Sequence, residues 1–154
     1  RPDMAAGRKM QAEVPLVTAD DFRQAGAIAF GTPTRFGNVA AQLKNQIDQL
    51  TGLWLKGELE GKPAGVFTST SSLHGGQETT ILTLAAPLIH LGMIFVGVPY
   101  SVQDLFVTQG GGSPYGPGHV AGPDSQRQID PQEAAICRAL GRRLAQVGLK
   151  LHAG

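Results

Sequence analysis

The 154-residue chain has one cysteine, Cys137, few charged side chains and no long apolar run. A single thiol excludes an internal disulfide and fits a reducing compartment. No stretch approaches the roughly 18 apolar residues of a membrane span, and Arg1 to Gln11 lacks the apolar core of a signal peptide. A cytoplasmic protein without a membrane span is therefore expected. Charged residues make up 16% of the chain, with a formal net charge of +1 and no block of one sign, against about 25% charged in an average soluble domain. That leaves no nucleic-acid footprint and no basic membrane-binding face. Small molecules are the expected partners, and the sparse charge implies that other subunits cover part of the surface. His74, His119 and His152 have no metal-ligand spacing with one another or with Cys137, so no metal site is expected.

What the chain does have is glycine and proline, 21 and 10 residues, clustered between apolar segments rather than spread as in a disordered chain. The length suits one domain over residues 1–154, with a Gly/Pro-rich insertion at about 101–129. Within it, Gly110 to Gly118 is either a mobile linker or an ordered insertion. Thr18, Asp20 and Asp21 spell a capping-box start for a short helix to about Gln24. A strand over Ala27 to Phe30 follows. Val39, Leu43, Ile47 and Leu50 recur at helical spacing, and Thr51-Gly52 reads as a stop. Ala64 to Thr68 is a second strand and Ser69 to Gly76 its polar loop. Ile81, Leu84, Leu88 and Leu91 mark a helix that Pro87 should bend or interrupt. Met93 to Val98 reads as a fully buried strand. Asp130, Pro131 and Glu133 open a last helix whose apolar face is Ile136, Leu140, Leu144, Val147 and Leu151, with Arg138, Arg142 and Arg143 on a solvated face.

Strands alternating with helices predict an α/β fold with a parallel sheet covered on both faces. Such sheets bind ligands where strands end in loops, which draws attention to Gly31-Thr32-Pro33-Thr34-Arg35-Phe36-Gly37-Asn38 after the first strand. A doubly wound sheet carries its phosphate loop after an earlier strand, and no such strand and loop precede Thr18. With Arg1 in place of an initiator Met, the first strand and phosphate-binding loop are expected to be missing from this chain.

That loop, with Thr51-Gly52-Leu53-Trp54, Gly75-Gly76-Gln77-Glu78 and Ser113-Pro114-Tyr115-Gly116, resembles the WrbA-type NAD(P)H:quinone oxidoreductases, a family of flavodoxin-like FMN enzymes. The resemblance runs from Leu16 onward. It implies a flavodoxin-like doubly wound sheet, FMN as cofactor, NADH or NADPH as donor, quinones as acceptors and a homotetramer. It further implies that Thr34, Arg35, Phe36 and Gly37 pack against the flavin, and that Ser69, Thr70, Ser71, Ser72, His74 and Gly75 wrap its other edge in a loop one residue longer than usual. Trp54 then lines the substrate pocket. His90 lies near the flavin and polarises the quinone oxygen or helps supply a proton. The implied mechanism is ping-pong, with the nicotinamide leaving before the quinone takes two electrons and two protons in the same pocket.

Plainer readings stand beside these. Trp54 reads equally as a core or interface residue, His90 as a hydrogen-bonded structural histidine and Cys137 as a helix residue with no redox duty. Three other functions compete. An electron-carrier flavodoxin usually has an acidic docking surface, which a charge of +1 does not support. A serine hydrolase using Ser69, Ser71 or Ser72 with His90 lacks a Gly-x-Ser-x-Gly elbow. A flavin-free interaction protein would follow if the missing start were natively absent.

Overall fold

The computed structural model describes Lys9 and residues 11–152. Helix α1, Ala19–Gln24, opens on the expected capping box. The Thr18 side chain accepts from the Asp21 N–H, and the Asp21 carboxylate accepts from the Thr18 N–H and hydroxyl. Those donors hold the Asp21 carboxyl below its usual range. On its inner side Phe22 stacks on Phe30 with ring centroids 6.2 Å apart, which ties the helix to the first strand.

Strand β1, Ile28–Pro33, pairs in parallel with β2, Pro63–Thr70, in a register that runs from Ile28 opposite Ala64 to Pro33 opposite Ser69. Each strand is longer than its apolar run. Gly31, Thr32 and Pro33 were expected in the loop but continue the ladder, because pairing with Phe67 to Ser69 satisfies backbone groups that water would otherwise solvate. Proline is tolerated at the strand's last position, where its missing N–H falls at the end of the pairing.

The other edge of β2 is shared. β3, Ile94–Phe95, pairs with Pro63 and Ala64, and β4, Gly118–Val120, pairs with Thr68 to Thr70. All pairings are parallel, giving a four-stranded sheet. The expected buried strand over Met93 to Val98 is thus shorter and only partly covered: Met93, Val96 and Val98 are buried, whereas Ile94 is 43% exposed. The reason is topological. Residues 101–117 leave the sheet and return as β4, so half of the edge next to β2 comes from the insertion. Gly110 to Gly118 is ordered, with a Ser113–Gly116 two-residue turn bonded in both directions.

Helix α2, Ala41–Asp48, and the short helix α3, Thr51–Trp54, follow β1. Thr51-Gly52 therefore does not stop helical structure; it begins a new turn, because Leu50 and Leu53 are both driven into the core. Helix α4, Gln77–His90, runs through Pro87 without interruption. Its buried face of Ile81, Leu84 and Leu88 is held by the main cluster of Phe30, Leu50, Leu59 and Val66. Burying side chains of that size at about 1.5–3 kcal/mol each outweighs the roughly 3 kcal/mol that an interior proline costs.

A four-residue helix α5, Asp104–Val107, sits in the insertion, and helix α6, Pro131–His152, covers the opposite sheet face. Ile136, Leu140 and Leu144 pack on Val96 and Val98. The expected stripe ends there. Gly148 lies against the Gly26 carbonyl and the His152 ring against Gly26, whereas Leu151 is half exposed. Arg143 also leaves the expected solvated face, donating to the Gly97 carbonyl.

Candidate active site

β1 and β2 end level with one another, so their loops leave the sheet together. The β1 loop closes at once into a two-residue turn: the Arg35 N–H donates to the Asn38 carbonyl at 2.9 Å and the Asn38 N–H returns to Arg35 at 3.1 Å. Both central residues are left-handed, Phe36 at φ 52° and Gly37 at φ 73°. Such a conformation costs a non-glycine residue about 1–2 kcal/mol, and the Phe36 ring gains no burial in return, being fully exposed. A strained, unburied aromatic at a loop tip points to a binding role.

The second loop meets the first through glycine. Gly76, at φ 98°, caps α4 so close to Gly37 that a Cβ on Gly76 would lie 3.0 Å from the Gly37 Cα. Between them, the N–H groups of Phe36, Gly37, Ser71, Ser72, Leu73 and His74 donate to no acceptor among the described residues. Hence both loops leave N–H donors unspent near the strand ends, beside an exposed ring, which suits a flat molecule with acceptors along its edge.

The side chains of the expected site divide among three places. Thr34 turns inward: its N–H donates to Ser69 O at 2.9 Å, and its hydroxyl meets those of Thr80 at 3.1 Å and Thr68 at 3.4 Å. Ser69 and Thr70 belong to β2, and the Thr70 hydroxyl donates to the Ser72 carbonyl, bracing the start of the loop. Arg35 donates to the Thr34 carbonyl. His74 lines a cavity of about 410 Å³ with Gly76 and Thr79, which adjoin the β1 turn, and with Thr108, Gly112 and Ser113 of the insertion. Gly75 closes the loop, its N–H donating to Ser72. Trp54 and His90 come together elsewhere, in a groove of about 490 Å³ between α2, α3 and the end of α4, with Asn38, Lys44, Thr83 and Pro87. Asn38 links that groove to the β1 turn. Both Trp54 and His90 are exposed, which removes the reading of Trp54 as a core residue.

Two groups escaped the sequence reading. Thr68 and Thr80 are buried hydroxyls under the β1 loop, and threonines inside otherwise apolar segments were the available signal. The other is an anchor for the insertion around Glu133, which is 2% exposed. Its carboxylate accepts from the N–H groups of Gly111, Val120 and Asp130, from Arg127 at 2.8 Å and from His119 Nδ1 at 3.0 Å. Burial by itself raises this carboxyl; the donors from Arg127, Asp130, His119 and Val120 prevail and hold it at about 2. Because Val120 and His119 are in β4, this one carboxylate pins the insertion against the strand that bears the second loop.

The sequence profile of the NADPH-dependent FMN reductase family matches residues 8–106, more than half of the chain. The chain belongs to that family. Among curated relatives of this family member, an NAD(P)H dehydrogenase (quinone) of Trichlorobacter lovleyi is 48% identical over 150 residues, covering 96% of this chain and 74% of the relative. Its namesake from Geobacter sulfurreducens is 46% identical over 147 residues, covering 94% and 72%. Among solved structures, a WrbA-like flavodoxin from Agrobacterium tumefaciens superposes with a TM-score of 0.66 at 24% identity, over 85% of this chain and 71% of that one. The fold is thus flavodoxin-like, as the WrbA-type motifs implied. The expectation that the first strand and phosphate-binding loop are missing falls on the start of the chain, where residues 1–8 and 10 lie outside the described residues.

Proposed function

We propose that the protein is an FMN-dependent NAD(P)H:quinone oxidoreductase that reduces quinones by two electrons, taking its two substrates in turn at one site. The observation that carries this reading is the wall of free N–H donors where the loops after β1 and β2 meet at Gly37 and Gly76. FMN, when bound, supplies the capacity to take up a hydride and pass on two electrons. The residues present fit its ring. Phe36, Gly37 and Ser71 to His74 would offer N–H groups to the oxygen and nitrogen edges, and the Phe36 ring would cover a face. Thr34, Arg35, Ser69, Thr70 and Gly75 would hold those two loops in place. The names of the two curated relatives support the quinone and nicotinamide substrates.

Trp54 and His90 would do the substrate work. The Trp54 indole offers a flat apolar surface to a quinone or nicotinamide ring, and the His90 imidazole could donate a hydrogen bond or a proton to a quinone oxygen. If both substrates use this one groove, the first product must leave before the second substrate enters, which is a ping-pong order. Exposed Tyr100, Phe106 and Val107 in the insertion and Leu55 beside Trp54 support association of copies into the expected tetramer. No helix among the described residues is long and apolar enough to cross a membrane.

Reconstitution tests the reading directly. The protein is loaded with FMN, and NADH and NADPH oxidation are followed with and without benzoquinone. Quinone should stimulate oxidation, with parallel double-reciprocal lines; lack of stimulation refutes the quinone reductase, and intersecting lines refute the ping-pong order. Light scattering reads the subunit number.

A further inference from the structure

The Thr80 side chain belongs to α4 and is completely buried, next to no ligand surface of its own. Its hydroxyl donates to the Thr34 Oγ1 at 3.1 Å. The Thr68 hydroxyl, also buried, spends its single proton on the Thr32 carbonyl at 2.8 Å and is left to face Thr34 at 3.4 Å as an acceptor. The Thr32 hydroxyl accepts from the Ala40 N–H at 3.0 Å, where the chain enters α2. Three hydroxyls, those of Thr80, Thr34 and Thr68, thus run from α4 through the β1 loop to β2 with Thr34 in the middle; Thr68 continues to the Thr32 carbonyl, while the Thr32 hydroxyl donates separately to the Pro33 carbonyl. Each is a one-proton group, so the direction of donation is constrained: Thr34 receives from Thr80, and its own proton has only the long contact to Thr68.

Thr34 immediately precedes the Arg35–Asn38 turn, and that turn carries the strained Phe36. A turn at positive φ persists only if its surroundings over-determine it. The Thr34 N–H bond to Ser69 fixes one side of the entry; the Thr80 hydroxyl fixes the other. We propose that Thr80 is a positioning residue for the flavin wall, acting through Thr34 to hold the Phe36 turn in its binding geometry. This rests on the proposal that the wall binds FMN, and it assigns a role there to a residue that touches no ligand.

The variants T80V, T80S, T34V and the double T80V/T34V test it. FMN affinity of the whole chain is read by quenching of flavin fluorescence, and the stability of the flavin-free chain by thermal melting. Valine keeps the shape and removes the hydroxyl, whereas serine keeps it. T80V should weaken FMN binding by about tenfold, with T80S within about twofold of the parent and T34V matching T80V. The double variant should be no weaker than either single one, because both break the same link. A T80V chain that melts lower but binds FMN like the parent overturns the proposal, as does additive loss in the double variant or failure of serine to rescue. If the parent chain itself does not bind FMN, the functional reading falls and this proposal with it; if the parent binds and T80V makes no difference, only this proposal falls.

Discussion

Replacing Glu133 by Gln should unpin the insertion, and the loss should depend on pH in a defined way. The glutamine keeps one acceptor oxygen but turns an NH₂ group toward donors: either the Gly111 and Val120 N–H groups and Arg127, or His119 and the Asp130 N–H. A buried carboxyl held at about 2, against an ordinary 4.5, is displaced by some 2.5 pH units, which corresponds to about 3 kcal/mol at about 1.4 kcal/mol per unit. Because the folded value is depressed, the stabilisation is fully present above about pH 4.5 and is lost as pH falls from there through about 2. Urea unfolding of the parent and E133Q at pH 7, 4, 3 and 2.5 should show a gap of about 3 kcal/mol at pH 7 that narrows steadily below pH 4.5. Hydrogen exchange should quicken first at Gly111 and Val120, whose N–H groups donate to the carboxylate. An equal gap at pH 7 and pH 2.5 would refute the ionic account of this anchor, and a gap under about 1 kcal/mol at pH 7 would refute its magnitude.

Other predictions concern the loops themselves. Gly76→Ala puts a Cβ 3.0 Å from the Gly37 Cα at a left-handed position, so it should cost about 2 kcal/mol in urea unfolding and weaken FMN binding; a neutral result would show that the two loops need not touch. Phe36→Gly should raise the stability of the flavin-free chain by up to about 1 kcal/mol by relieving the positive φ, while lowering FMN affinity several-fold. If affinity is unchanged, the exposed ring has no role at the wall. Trp54→Ala should raise the KM for benzoquinone about tenfold without altering FMN affinity, measured by steady-state kinetics and fluorescence quenching; equal loss of both would move Trp54 to the cofactor.

Much of the fold was legible because its signals are local. The Thr18–Asp21 and Asp130–Glu133 boxes marked two helix starts, since cap and N3 residues find one another within a single turn. The spacing of Ile81, Leu84 and Leu88 marked α4 despite Pro87. The β1 loop was singled out as a ligand position because a buried strand that ends in Gly, Thr and Pro has few other uses in an open sheet.

The misread boundaries have a common physical cause, which is that a residue's state depends on what lies opposite it. Gly31 to Pro33 become strand only because Phe67 to Ser69 lie across from them, and Thr51-Gly52 joins a helix only because Leu50 and Leu53 must reach one core. Residue types and order within the chain determined the α/β alternation, the helix caps, the family and the two loops proposed to meet the flavin. Tertiary structure alone decided that the insertion supplies the edge strand β4, that Glu133 anchors it from far along the chain, and that His74 shares a cavity with the insertion while Trp54 and His90 share a groove. Those choices are made by contacts across long sequence separations, where hydrogen-bond satisfaction and burial are settled among partners that no local pattern names.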